Sequence, residues 1–295
     1  MSTDATSAPP ALGSYIRMRP LKPAELPAHP TLAPLQEPKT APSLKAFIST
    51  VLNEGNDFVT DYLPKAFKVK ARNRAAPPST APVELLEHEI SAHDLPEDGR
   101  TMGASETWFA RESIHENAAQ RGTASWEEFD SGLRADHSQH EMDYTPDVLD
   151  AHIVCDWKAE LEQLGGAVDG WNDVDFVLME MMHKIPWPLN NRAFPVVVLT
   201  AKRAQEFIVV QVPVAVGRVK EARYAKESKV VTGTYCSIER CEAIEGGTKV
   251  KWQMATASNA KGNLPMSLQK LGTPPAIVKD VGLFMDWCEK RRGEK

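Results

Sequence analysis

From Ser43 onward, apolar side chains recur every three or four positions, at Leu44, Phe47, Ile48, Val51, Leu52, Phe58 and Leu63. That spacing gathers them on one face of a helix, with Ser43 placed as its N-cap and Pro64 as its stop. Residues 71–82, rich in Pro, Ala and Ser, read as a linker, and strands are expected at 83–90 and 106–115. Further on the period changes to two. Ile208, Val210, Val212, Val214 and Val216 share one face, and Val250, Trp252 and Met254 alternate with Lys249, Lys251 and Gln253. Such alternation predicts sheet strands with one face on a core and the other toward water. Strands are also expected at 174–185, 193–202 and 229–244, and Pro213 argues for an edge position or a bulge. The chain closes with a helix capped by Thr273, carrying Pro274 and Pro275 in its first turn. Its apolar stripe is Ile277, Val278, Val281, Phe284, Met285 and Cys288.

An N-terminal helix, a run of antiparallel strands and a long C-terminal amphipathic helix make an α+β fold. A curved sheet wrapped around that last helix leaves a space between the two layers, where an apolar ligand would sit. Residues 1–42 hold nine of the 22 prolines and form an N-terminal arm, disordered over its first dozen residues. Its Tyr15, Ile16, Met18, Leu21 and Leu26 are apolar enough to lie along a surface. Residues 43–295 are expected to form a single domain.

Composition narrows the function. With 295 residues, 42% of them hydrophobic and 25% charged, the chain is an ordinary globular one and no coiled coil or fibre. The 34 Lys and Arg against 40 Asp and Glu leave a net charge of -6, which disfavours a nucleic-acid partner. Four scattered cysteines without a C-x-x-C pair suit a reduced compartment. No apolar run is long enough to span a bilayer, so a soluble, cytoplasmic protein is expected, with transient membrane contact left open.

Five segments, in this order, carry a resemblance: WFARESIH (108–115), GTASWEEF (122–129), DHSQHEMDYT (136–145), HKIPWPLNNRAF (183–194) and the terminal helix over 275–287. Together they resemble a START-like domain, the helix-grip fold of the SRPBCC type, and more narrowly a mainly fungal START-like family of unknown function. The likeness runs over roughly residues 15–290. It implies a deep cavity roofed by the C-terminal helix and used for lipids, sterols, terpenoids or polyketides, with no cofactor. Distant relatives of this fold carry, sense or transform their ligands, so the fold leaves the reaction open.

The densest titratable cluster lies at 136–144. On a helix His137, His140 and Glu141 would share a face, a spacing that could bind a divalent metal or pair a base with its orienting carboxylate. The order H-x-x-H-E matches no zinc-protease motif, so the cluster is read as structural and no metal is expected. His115, His183 and Glu180 are the candidate proton carriers if the domain is an enzyme of cyclase or isomerase type. A buried Arg must be paired, so Arg111 and Arg192 would either hold a ligand's polar end or lock strands together. Trp108, Met181, Trp252, Met254, Phe284 and Met285 are the expected apolar walls. No G-x-S-x-G or phosphate-binding loop occurs. Carriage of a hydrophobic small molecule is thus the leading expectation. Catalysis in the same cavity is the alternative, and an interaction scaffold with a collapsed interior is the third.

Overall fold

The computed structural model describes residues 11–37, 39–95 and 105–294; the ten N-terminal residues, where disorder is expected, lie outside them. The Ser43 side chain accepts from the Ala46 N–H and starts helix α1, Leu44–Asp57. Pro64 does not end it. The chain passes through a π-helical turn, Phe58–Tyr62, into α2, Leu63–Ala66, where Pro64 takes a first-turn position that needs no N–H donor.

Nine further segments pair into one curved sheet with the first strand, β1 (Lys68–Arg74): β2 (Val83–Ile90), β3 (Glu106–Glu116), β4 (Val148–Asp156), β5 (Asn172–His183), β6 (Arg192–Arg203), β7 (Glu206–Pro213), β8 (Val231–Thr232), β9 (Thr234–Ile244) and β10 (Lys249–Asn259). Among the described residues the order is β1-β2-β3-β10-β9-β7-β6-β5-β4, with β8 added in parallel to β6. Three expectations need correction. The linker reading of 71–82 overlaps β1, because the partner β2 supplies ladder bonds to a strand with little apolar side chain of its own. The strand β4 has no counterpart in the sequence pattern. Pro213 is not in a bulge: it is the last residue of β7, paired with Val196 of β6 but beyond the last β7–β9 pair at Gln211, so it sits where that ladder ends, and its carbonyl accepts from the Leu21 N–H at 2.8 Å.

Both faces of the sheet are covered. On the outer face Trp108, Phe176, Val197, Ile208, Val210 and Ile238 pack with Phe47, Ile48, Val51 and Leu52 of α1. Ile16, Met18, Leu21, Leu26 and Leu32 of the arm are buried in that same layer. This is why β7 is buried at nearly every position instead of alternating toward water. On the inner face Phe109, Met179, Met181, Val196, Val209 and Trp252 pack against the last helix, α6.

Short helices α3 (Trp126–Phe129), α4 (His137–Tyr144) and α5 (Lys158–Gln163) lie between strands. Ser125 caps α3 in a reciprocal box with Glu128, which satisfies two terminal donors. Helix α6 runs over Met266–Gly293, so it begins well before the expected cap Thr273, and Pro274 and Pro275 lie inside it. The carbonyls that these prolines leave without a helical donor belong to Lys270 and Leu271. Leu271 is exposed, so water can take up the loss on that side. The stripe from Ile277 to Cys288 is buried as the periodicity requires. Among the described residues no helix is long and apolar enough to cross a membrane.

Candidate functional site

Between α6 and the inner face lies a cavity of about 380 Å³, at the small end of the range for ligand pockets. Its apolar walls include Met181 and Phe194 from the sheet, Met254 from β10, and Leu264, Ile277 and Leu283 from the segment leading into α6 and from α6 itself. Exposed residues, Lys184 and Leu268 among them, also line it. At its inner end it runs into a corner of about 30 Å³, walled by Arg111, His137, Glu141, Tyr144, Tyr235 and Glu239 among others. Glu141, Thr145, Gln211, Tyr235, Met254 and Asp280 line both spaces, so the two adjoin.

The corner joins buried polar groups, Arg111, His137, Gln211 and Glu239, to the half-buried Glu141, Tyr144 and Asp280, held from four directions. Arg111 on β3 is 2% exposed; its Nη2 donates to Glu239 Oε1 at 3.1 Å, and its guanidinium lies 4.0 Å from the centre of the Trp252 ring. Glu239 on β9 also accepts from Trp252 Nε1 at 2.7 Å. The register explains the meeting: Met254 of β10 is paired with Arg111 on one side and Glu239 on the other, so all three point inward on one row. Two donors of Arg111, Nε and Nη1, have no partner.

Helix α4 supplies the second set. His137 Nδ1 faces the Leu133 carbonyl and must donate to it, which leaves Nε2 to accept from Gln211 Nε2 at 3.1 Å. Burial lowers the His137 pKa and favours that neutral ring. One turn on, Glu141 lies with an oxygen 3.7 Å from His137 Nε2. Burial, then the charge of Glu239, pushes the Glu141 carboxyl up to about 7. Asp280 of α6 is likewise pushed up to about 7 by burial, against the pull of Arg111. Burial also raises the Tyr144 phenol well above its ordinary value. His140 leaves this group: its ring packs on Trp287 at 5.0 Å and its Nδ1 faces the Ala135 carbonyl. Among the described residues no group of three His, Cys, Asp or Glu side chains is arranged to hold a metal ion.

Of the residues singled out by sequence, Met181, His183 and Met254 line the cavity, and Arg111 and Trp252 wall its polar corner. Burial takes His183 down to about 4, a neutral ring at the cavity wall. The others lie elsewhere. Trp108 is on the outer face, against Phe58 at 4.7 Å, with its Nε1 donating to Glu106. Glu180 is also on the outer face, where it accepts from the backbone N–H groups of Arg223, Tyr224 and Ala225. Arg192 is tied to the carbonyls of Ala260, Asn190 and Lys261. His115 faces inward but is closed in by Phe129 and Trp252, with Nε2 2.8 Å from Ser113 Oγ; burial takes it to about 3. Phe284 and Met285 are fully buried beside the cavity in the packing around Phe129 and Trp252.

Alternation already separates several of these. Trp108 and Arg111 are three apart on one strand and cannot share a face, and Glu180 cannot share one with Met181 and His183. Asp280, Gln211, Tyr235 and Glu239 were not singled out. Asp280 follows Ile277 by three and precedes Phe284 by four, so an acidic residue borders the apolar stripe. Glu239 is a charge in the middle of a buried strand.

A sheet gripping a long C-terminal helix, with a cavity between them, is the START-like fold. The crystal structure of human STARD10 is similar over 78% of this chain and 76% of that one, with a TM-score of 0.51 and 11% identity. Human StAR-related lipid transfer protein 5 is similar over 84% of this chain and 97% of its own, with a TM-score of 0.55 and 12% identity. At such identities the likeness is one of fold. The family model described as "Protein of unknown function (DUF3074)" matches residues 108–288, more than half of the sequence, and the chain belongs to that family. No curated protein matches it.

Proposed function

We propose that this domain binds, and by release elsewhere transfers, a hydrophobic small molecule in the cavity beneath α6. The observation that carries the reading is the combination of an apolar chamber of about 380 Å³ with a buried polar corner at its closed end. The apolar walls offer the ligand's body a dry surface, and the corner offers its polar end partners. The fold shared with a human lipid transfer protein supports the same reading. Mass spectrometry of an organic extract of the purified protein tests it. A stoichiometric apolar compound is expected, and an empty protein that takes up no added lipid, sterol or terpenoid would overturn the proposal.

A second reading, an acid–base enzyme of cyclase or isomerase type, rests on one feature. Glu141 and Asp280 face the cavity with pKa values of about 7, matched to proton transfer at neutral pH. Conversion of the extracted compound on incubation with fresh protein would favour this reading, and its recovery unchanged favours carriage.

A further inference from the structure

We propose that the cavity selects a long-chain amine, its cationic head held between Glu141 and Asp280 with an adjoining oxygen facing Arg111. This rests on the hydrophobic-ligand reading above and specifies the chemistry of the polar end. Arg111 and Glu239 are bonded to each other and cancel in charge. Glu141 and Asp280 then remain, brought together from α4 and α6, and neither carboxyl accepts a hydrogen bond from a described residue. Ionised, they leave the corner with two surplus negative charges. The other groups facing them do not correct this: His137 is held neutral, Tyr144 and Tyr235 are phenols, and Lys184 and Lys279 are exposed at the outer cavity wall.

An ammonium carries three N–H donors, enough to reach both carboxyls, whereas a hydroxyl has one donor and no charge. Size points the same way. A corner of about 30 Å³ admits one or two water-sized groups, so an ammonium fits and a phosphocholine does not. The unpartnered Nε and Nη1 of the buried Arg111 call for an acceptor on the same head, which a neighbouring hydroxyl or carbonyl oxygen provides.

Calorimetric titration of the full chain with decylamine, decanol and decanoate tests the assignment. Decylamine is expected to bind at least about tenfold tighter than either competitor, as a charge-assisted hydrogen bond implies. Its affinity should rise between about pH 6 and about pH 8, as Glu141 and Asp280 ionise and His183 at the cavity wall stays neutral. Glu141→Gln and Asp280→Asn should each lower the amine-to-alcohol ratio, with circular dichroism verifying the fold. Should decanol or decanoate bind as tightly as the amine, or the amine bind better at the lower pH, the amine assignment falls while the hydrophobic-ligand reading stands. Failure of all three to bind would overturn the amine assignment, and the hydrophobic-ligand reading falls with it only if added lipid, sterol and terpenoid are refused as well.

Discussion

Asp280 and Glu141 reach the polar corner from different helices, and each is more readily protonated in the folded chain than in the unfolded one. A carboxyl raised to about 7 takes up a proton on folding through the interval between its free value and pH 7. The folded state therefore binds more protons than the unfolded state there, and the contribution to stability, fully present below about pH 4, is lost as pH rises to about 7. The buried histidines act in the opposite sense. His115 and His183, held near 3 and 4, bind fewer protons folded than unfolded, so their contribution is lost as pH falls below about 6.5. The residue-level prediction follows from the carboxyl term. In the unliganded protein Asp280→Asn should raise stability by about 1–3 kcal/mol at pH 8 and change it little at pH 4. Urea denaturation at the two pH values measures this, and equal effects at both would contradict the raised carboxyl. At this scale the sequence names the chemistry without the partners. Glu141 stands out in a titratable run, but no spacing along the chain says that it will face Asp280 and Glu239.

The element that decides the cavity is α6. Its buried stripe is plain in the sequence, yet its height above the sheet depends on a contact that no periodicity contains. Gly282 lies against the turn between β1 and β2: a Cβ there would stand 2.4 Å from the Pro77 carbonyl oxygen and 2.8 Å from that of Ala76. In an unconstrained helix, Gly to Ala stabilises by about 1 kcal/mol. Here both obstructing atoms are backbone, so the sign reverses, and Gly282→Ala is expected to destabilise by about 1–3 kcal/mol through overpacking. Thermal or chemical denaturation reads the sign directly. The same element shows why the predicted boundaries moved. Pro274 and Pro275 mark a favourable helix start from sequence, but the turns that precede them continue the helix because residues such as Leu264 and Gln269 dock there. Gln269 accepts from the Ala260 N–H at 2.7 Å and donates to the Leu264 carbonyl at 2.9 Å.

For the molecule as a whole, the arm belongs to the fold's outer layer. Ile16, Leu21, Leu26 and Leu32 are fully buried, Leu21 pairs with Val214 as a parallel bridge, and the Met18 N–H donates to Glu106 at 2.8 Å. A chain beginning at residue 43 would bare the outer face of β7, β9 and β10, an apolar patch that water and other chains compete for. Such a truncation is expected to aggregate or to melt far below the full chain, whereas a freely hanging arm would leave the melting temperature unchanged; calorimetry and gel filtration separate the two. The sequence by itself determined the class of fold, because periods of 3.6 and 2 and the apolar stripe of α6 are local properties that each segment carries alone. It also determined most strand positions and, through alternation, which residues share a face, as Trp252 and Met254 do. Only the tertiary structure decided that both sheet faces are covered, that Glu180 and Arg192 serve the backbone, and that Glu141, Glu239 and Asp280 converge on Arg111. Those outcomes depend on which strands become neighbours and on how far α6 stands above them, and residues up to 169 positions apart meet in the corner for reasons that no local window of the chain contains.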